Sequence, residues 1–140
     1  MTKIIIGSDH RGFEMKNKLI KELPFDFIDC GTNSAERCDY TQIVKNVVDE
    51  MYKTNTKFGV LICGSGVGVS IMANRFKNIR AALCYNTQVA IASRQHNDAN
   101  IACFGADFMS EDDIKERIIS FVETDFLNIE PYISRIKTLN

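Results

Sequence analysis

Hydrophobic and polar residues follow two patterns that alternate along the chain. Short apolar runs rich in β-branched and aromatic residues predict five strands, over Lys3–Ile6, Phe25–Asp29, Phe58–Cys63, Arg80–Cys84 and Asn100–Phe104. Segments with helical spacing follow these runs and predict helices over Gly12–Glu22, Tyr40–Lys53, Val67–Phe76, Thr87–Gln95 and Glu111–Asp125. The tail from about Ile129 predicts a further short helix, because Pro131 is tolerated in a first helical turn.

Five strand–helix repeats without long insertions predict a doubly wound α/β domain. Because crossovers between parallel strands are right-handed, we expect helices on both faces of the sheet and therefore three layers. We expect a single domain over residues 1–140, Rossmann-like or flavodoxin-like, with a five-stranded parallel sheet and a C-terminal helical tail. A flavodoxin-like strand order, 2-1-3-4-5, would place the ligand crevice beyond the carboxyl ends of the first and third strands.

The composition excludes several classes of protein. A formal net charge of −1 leaves no basic excess for nucleic acid. Five cysteines, an odd number without a C-x-x-C pair, predict neither a disulfide framework nor a zinc cluster. The apolar run at the N-terminus is too short for a signal peptide, and no segment reaches the ~18 apolar residues of a membrane span. We therefore expect a soluble cytoplasmic protein that binds neither nucleic acid nor membrane.

The loop after the third predicted strand carries the strongest chemical signal. The strand ends at Cys63, and glycine then occupies every second position, at Gly64, Gly66 and Gly68, with Ser65 between the first two. Backbone N–H groups in such a loop can approach a small anion. The spacing fits neither a P-loop, a dinucleotide turn nor a Cys-phosphatase loop. A buried structural cysteine before a tight turn is the alternative interpretation.

The chain has two histidines, and the predicted topology separates them. His10 follows the first strand beside Asp9, so it is expected in the same crevice as Cys63. His96 lies between the fourth helix and the fifth strand, which places it at the amino ends of the strands. His96 is therefore either a loop residue or a residue that a second subunit brings into the cleft.

At these residues the sequence resembles the type B ribose-5-phosphate isomerases, a family that also includes the subunits of galactose-6-phosphate isomerase. The shared motifs span nearly the whole chain in collinear order, at Gly7–Gly12, Asp29–Thr32, Ser34–Tyr40, Cys63–Gly68, Asn74 to Ala81 and Arg94–Asn100. The resemblance implies reversible conversion of D-ribose 5-phosphate into D-ribulose 5-phosphate, in the non-oxidative pentose phosphate pathway. It also implies that neither a metal nor an organic cofactor is needed.

The resemblance implies roles for the candidate residues. Cys63 matches the base that moves a proton between C1 and C2, His96 the residue that opens the furanose ring, and Ser65 a nearby hydroxyl. Further residues of this sequence match positions that contact the substrate or form the backbone of an anion hole in the family. They are Asp9, His10, Gly64, Gly66, Val67, Gly68, Asn97 and Arg135. The chemistry independently requires such groups. Ring opening needs an acid and base such as imidazole, proton removal needs a base such as a thiolate, and the enediolate needs an array of N–H donors. We expect a homodimer with shared active sites, which could pair further into tetramers.

The chain departs from the family at the phosphate site. Family members usually hold the phosphate with arginines after the fifth strand and in a C-terminal Gly-Gly-Arg-His-x-x-Arg segment. Here Asp107 and Pro131 occupy two of these positions, and only Arg135 is retained. A carboxylate at such a position opposes a phosphate dianion. Arg11, after the first strand, either compensates for the loss or is a solvated surface charge.

Three other functions are compatible with the sequence. The first is isomerisation of another aldose phosphate, such as allose 6-phosphate or galactose 6-phosphate. The second is a non-catalytic nucleotide- or phosphate-binding module, because the fold alone does not decide function. The third is a Cys-dependent acyl or phosphoryl transferase. A cleft that combines Cys63 and Ser65 with the partner subunit's His96 would favour the isomerase. The remaining cysteines are interpreted as structural, at Cys30, Cys38, Cys84 and Cys103.

Overall fold

Strands and helices alternate through the computed structural model, which describes residues 1–140. The strands are β1 (Lys3–Ser8), β2 (Asp26–Asp29), β3 (Phe58–Cys63), β4 (Ala81–Leu83) and β5 (Ile101–Gly105). The helices are α1 (Phe13–Glu22), α2 (Tyr40–Thr54), α3 (Val67–Ala73), α4 (Thr87–Asn97), α5 (Glu111–Glu123) and α6 (Tyr132–Leu139). The predicted order of elements is confirmed, including the C-terminal helix.

All five strands are parallel and form one sheet in the order β2-β1-β3-β5-β4. The expected order 2-1-3-4-5 is therefore wrong for the last two strands. Their burial explains the exchange: every residue of β5 is buried, whereas the three residues of β4 are only half-buried. A fully apolar strand is better covered in the interior of the sheet than at its edge. Since β1 and β3 remain neighbours, the crevice expected between them is retained.

Two apolar layers cover the sheet, which confirms the three-layer architecture. Neighbouring side chains on β1 point to opposite faces, so Ile4 and Ile6 pack in one layer and Ile5 in the other. The first layer includes residues of α1, α4 and α5, at Leu19, Ala90, Ile114, Ile118 and Phe121. The second includes residues of α2 and α3, at Val44, Val47, Val48, Val69 and Ala73.

Side-chain caps fix where three of the helices begin, and hence the loops before them. Asp39, Asn86 and Ser110 each accept a backbone N–H of the first helical turn, at 2.9, 2.7 and 3.2 Å. These caps begin α2, α4 and α5. By contrast, α3 begins at Gly66 without a side-chain cap. Two N–H groups at this start are instead directed at side chains of the preceding loop, that of Gly66 at the Cys63 sulfur and that of Val67 at the Ser65 hydroxyl.

The C-terminal helix α6 packs against α4. The ring of His96, in the last turn of α4, stacks on the ring of Tyr132 at the start of α6. None of the helices is both long enough and apolar enough to cross a membrane.

Candidate active site

A cleft opens at the carboxyl edge of the sheet, where β1, β3 and β5 end side by side. Its volume is about 470 Å³. The end of β3, the loops after these strands and the starts of α2 and α3 line it, at Asp9, Arg11, Tyr40, Cys63, Gly64, Ser65, Gly68, Asp107 and Phe108. The topology therefore brings the predicted loop residues together with Asp9. The crevice expected between β1 and β3 is present and extends to β5.

Cys63 is the last residue of β3 and is only 6% exposed. Its sulfur accepts a hydrogen bond from the backbone N–H of Gly66 at 3.1 Å. Gly66 has φ +82°, and a Cβ there would lie 2.6 Å from Leu83 and 2.8 Å from the backbone of Phe104, so glycine is required. The tight turn thus directs an N–H donor at the sulfur. Such a donor stabilises negative charge on a thiolate.

The Ser65 hydroxyl is exposed and interacts with its own loop. Its oxygen accepts the backbone N–H of Val67 at 3.2 Å, which leaves the hydroxyl proton free to be donated. Within the expected anion hole, the N–H of Gly66 faces Cys63 and that of Val67 faces Ser65. A substrate oxygen would therefore share these two donors with the side chains of the loop.

The loop after β1 holds Asp9 and His10 by different contacts. Asp9 is 6% exposed, and its Oδ1 accepts the backbone N–H groups of Arg11 and Gly12 at 3.0 and 3.1 Å. His10 Nδ1 accepts the backbone N–H of Cys38 at 3.3 Å, so in the neutral ring Nε2 carries the proton. His10 is half-buried beside the cleft rather than in its lining.

Arg11 and Asp107 form an ion pair across the cleft. Arg11 comes from the loop after β1 and Asp107 from the loop after β5. Both approach Gly64, where a Cβ would lie 2.8 Å from Arg11 Nε and 2.9 Å from Asp107 Oδ2. Arg11 is 56% exposed and lines the cleft, where its charge is paired with Asp107.

Two aromatic residues of the cleft, Tyr40 and Phe108, were not among the predicted site residues. Tyr40 ends one of the motifs that carry the family resemblance, so a signal for it was present. Phe108 is 80% exposed and follows β5 by three residues, in a loop at the same carboxyl edge. The rule that ligands bind beyond strand ends would have found it once the position of β5 was known.

Three of the predicted site residues lie away from this cleft. His96 and Asn97 are the last two residues of α4, which runs back from the carboxyl edge towards the amino edge of the sheet. Arg135 is exposed on α6, which packs on α4. None of the three lines the cleft of the same chain, and Asn97 lines a different pocket. The separation of His96 from Cys63 is the one expected from the topology.

Three other thiols have raised pKa values and lie outside the lining of the cleft. Burial is the main cause that raises the pKa of Cys84 to about 12 and the pKa of Cys103 well above its usual range. The pKa of Cys30 is raised to about 11, first by burial and then by the nearby carboxylates of Glu50 and Asp29. These three thiols stay protonated at neutral pH, so they cannot act as bases.

A larger cavity of about 510 Å³ opens at the amino edge of the sheet. Two of its arginines share one carboxylate there: Asp98 accepts from Arg94 at 2.9 Å and from Arg80 at 3.2 Å. The Arg94 guanidinium also lies 5.3 Å from the centre of the Phe58 ring. These contacts hold α4 against the strands, and the cavity is lined by neither a cysteine nor a histidine. The candidate active site is therefore the cleft at the carboxyl edge.

The chain belongs to the ribose/galactose isomerase family, whose family model matches residues 4–139. The ribose-5-phosphate isomerase B of Escherichia coli (strain K12) is 43% identical over 109 residues, which cover 76% of this chain and 73% of that protein. Sequence and family model agree, so the resemblance inferred from the motifs is confirmed. The protein is thus a member of a sugar phosphate isomerase family.

Solved structures show the same fold. The type B ribose 5-phosphate isomerase of Trypanosoma cruzi is 39% identical and superposes with a TM-score of 0.94, covering 99% of this chain and 95% of that one. The ribose 5-phosphate isomerase B of Anaplasma phagocytophilum is 40% identical, with a TM-score of 0.91 and coverage of 100% and 97%.

Proposed function

We propose that this protein interconverts D-ribose 5-phosphate and D-ribulose 5-phosphate, a reaction of the non-oxidative pentose phosphate pathway. The observation that carries the proposal is the hydrogen bond from the N–H of Gly66 to the sulfur of Cys63, at the floor of an open cleft. It places a backbone N–H donor at the sulfur that would carry the negative charge of a base. A thiolate beside a carbon-bound proton can act as a general base.

Proton transfer is the step assigned to Cys63. In the direction of ketose formation, its thiolate removes the proton from C2 of the open-chain aldose. The C2–H electron pair forms the C1–C2 double bond of an enediolate, and the carbonyl electrons move to O1. The proton of the C2 hydroxyl moves to O1. The thiol then returns its proton to C1 while the carbonyl forms at C2. No electrons leave the substrate, so the reaction needs no redox cofactor.

Stabilisation of the enediolate is assigned to the loop after β3. Preorganised N–H donors are effective where negative charge develops in the transition state. The backbone from Gly64 to Gly68 supplies them, and the Ser65 hydroxyl has a proton that it can donate. Asp9 and His10 are assigned to sugar and phosphate contacts, because both belong to the loop beside the cleft.

No histidine lines the cleft of a single chain, and the group that we assign to ring opening is the imidazole of His96. His96, Asn97 and Arg135 lie together on α4 and α6, away from their own Cys63. We assign all three to the active site of a second subunit, in a homodimer with two shared sites. In this arrangement one subunit supplies the base and the other supplies the ring-opening group and a cation for the phosphate.

Another aldose phosphate is the second candidate substrate. The observation that favours it is the carboxylate of Asp107 in the cleft, at a position where the family resemblance leads one to expect a phosphate-binding arginine. A six-carbon substrate would place its phosphate one carbon further from C2. The chemistry assigned to Cys63 would be the same.

A comparison of substrates in deuterated water tests the proposal. We expect steady-state turnover of ribose 5-phosphate with a higher kcat/KM than for allose 6-phosphate or galactose 6-phosphate. Deuterium should enter the product at the carbon that receives the proton, and mass spectrometry should find no covalent adduct on Cys63. A preference for a six-carbon sugar phosphate would select the second candidate. Binding without turnover or deuterium exchange would indicate a non-catalytic binding module. A covalent adduct on Cys63 would indicate a transferase.

A further inference from the structure

Arg11 is the only cationic residue among those that line the cleft. Two carboxylates, Asp9 and Asp107, line it as well. Asp9 already accepts two backbone N–H groups through Oδ1 and so has a structural task in its own loop. A sugar phosphate carries close to two negative charges at neutral pH. Within one subunit, Arg11 is therefore the only side chain of the cleft that can oppose them with a full charge.

The position of Arg11 is fixed at both of its ends. Its backbone N–H donates to Asp9 Oδ1 at 3.0 Å, which holds the loop. Its guanidinium pairs with Asp107 above Gly64, one residue after Cys63. A side chain on residue 64 would collide with this pair, so the close approach depends on glycine. The guanidinium is thus held in the cleft, next to Gly64 and Asp107, before any ligand binds.

A ligand can replace the Asp107 carboxylate as the partner of Arg11. Arg11 and Asp107 are 56% and 35% exposed, and an ion pair in such an exposed position contributes little to stability. A guanidinium has five N–H donors in a planar fork that matches phosphate oxygens. Only Nη2 of Arg11 is engaged, by Asp107. A phosphate dianion can therefore bind the same fork at a small cost in protein contacts.

We propose that Arg11 is the positively charged ligand that the Cys63-bearing subunit contributes to the phosphate of the substrate, and that Asp107 holds its guanidinium in place until the phosphate group displaces the carboxylate. This role deepens the proposed isomerase function and rests on it for the identity of the sugar. Arg11 thereby determines affinity for the phosphorylated substrate, whereas Asp107 lowers it by competition.

Calorimetric titration of the full-length Cys63→Ala protein tests this role without turnover. Ribose 5-phosphate and inorganic phosphate are the two probes. We expect Arg11→Gln to weaken binding of ribose 5-phosphate by about 10-fold or more, as for the loss of a charge-assisted contact. Arg11→Lys should recover part of the affinity, because it keeps the charge and loses the fork. Asp107→Asn should tighten binding, because the competing charge is gone.

Lys21→Gln is the matched control, since it removes the same charge from an exposed residue at the far end of α1. Unchanged affinity in Arg11→Gln, with circular dichroism as in the parent protein, would overturn the role of Arg11. Weaker binding in Asp107→Asn would overturn the competition. If inorganic phosphate binding depends on Arg11 while ribose 5-phosphate is neither bound nor isomerised, the anion site stands and the proposed function fails.

Discussion

The ring of His96 lies against the ring of Tyr132, with 4.7 Å between the centroids and 22° between the planes. This stack joins the end of α4 to the start of α6, the helix that carries Arg135. Cys63 is at the opposite, carboxyl edge of the sheet. The proposed use of both the Cys63 thiolate and the His96 imidazole therefore requires two subunits.

Mixing two inactive variants should restore activity. In a heterodimer of Cys63→Ala and His96→Ala subunits, one of the two shared sites combines an intact Cys63 with an intact His96. After complete subunit exchange at equal concentrations, we expect about a quarter of the wild-type activity, since half of the dimers are mixed and each has one complete site. The measurement is steady-state turnover of ribose 5-phosphate before and after exchange.

The control mixture combines Cys63→Ala with the double variant Cys63→Ala/His96→Ala, in which no dimer contains an intact thiol. This mixture should stay inactive, because none of its dimers has a cysteine at position 63. If native mass spectrometry shows mixed dimers of the first pair and no activity returns, the shared site is wrong.

Cys63→Ala should lower kcat by at least ~10²-fold and leave substrate binding largely intact, because a positioned general base is lost. Cys63→Ser should also be poor, since a hydroxyl is a much weaker base than a thiolate. Cys84→Ala is the control: this residue is fully buried, so its loss should affect stability more than rate. Near wild-type turnover of Cys63→Ala would remove Cys63 from the mechanism.

The buried thiols should resist alkylation in the folded protein. Thiolate is the reactive form, and the pKa of Cys84 is raised to about 12 and that of Cys103 further. Iodoacetamide at pH 8 should modify neither residue until the chain unfolds, as peptide mass spectrometry can determine. Because the unfolded chain loses these protons at a lower pH, their contribution to the free energy of unfolding is complete below pH 9 and is lost as the pH rises towards 12. Labelling of native Cys84 at pH 8 would contradict its burial.

The sequence was sufficient to predict the fold class and those residues of the candidate site that lie at the carboxyl ends of the strands. Cys63 ends an apolar strand and Asp9 follows another, so parallel topology alone brings them together. The apolar sequences of β4 and β5 did not predict that β5, rather than β4, lies next to β3. That order depends on how much of each strand the neighbouring helices cover. The pairing of Arg11 with Asp107 joins residues 96 positions apart and depends on the space above Gly64. No local pattern encodes that contact.

The ion pair of Lys16 and Asp29 should be asymmetric in its response to substitution. Lys16 is 1% exposed, and its Nζ lies 2.6 Å from Asp29 Oδ2, whereas Asp29 is 37% exposed. Lys16→Met should leave the free energy of unfolding unchanged or raise it, because an apolar chain of similar volume avoids desolvation of the charge. Asp29→Asn should lower it by about 2 kcal/mol, less than for a fully buried pair. The Asp29→Asn change leaves the Lys16 ammonium buried without a counter-charge.

Urea unfolding followed by circular dichroism measures both variants. Asp29→Asn keeps an Oδ1 that can accept the backbone N–H of Gly31, which is 2.9 Å from that atom in the native protein. The loss of stability therefore reports on Lys16 rather than on the turn. If Lys16→Met is the more destabilised of the two, the ammonium contributes more by its charge than its burial costs.

Arg135→Ala should raise KM for ribose 5-phosphate by roughly 10-fold or more, because a contact to a charged group contributes about 1.5–3 kcal/mol. Arg135 follows Tyr132 by three residues, so the two occupy neighbouring positions on α6, and Tyr132 contacts His96. The same surface would thus bring the ring-opening group and the phosphate ligand to the partner's cleft. Lys137→Ala is the control on the same helix: this exposed lysine lies five positions from Tyr132, so its loss should change KM little. An unchanged KM in Arg135→Ala would show that the C-terminal tail does not reach the phosphate and that its match to the family segment is wrong.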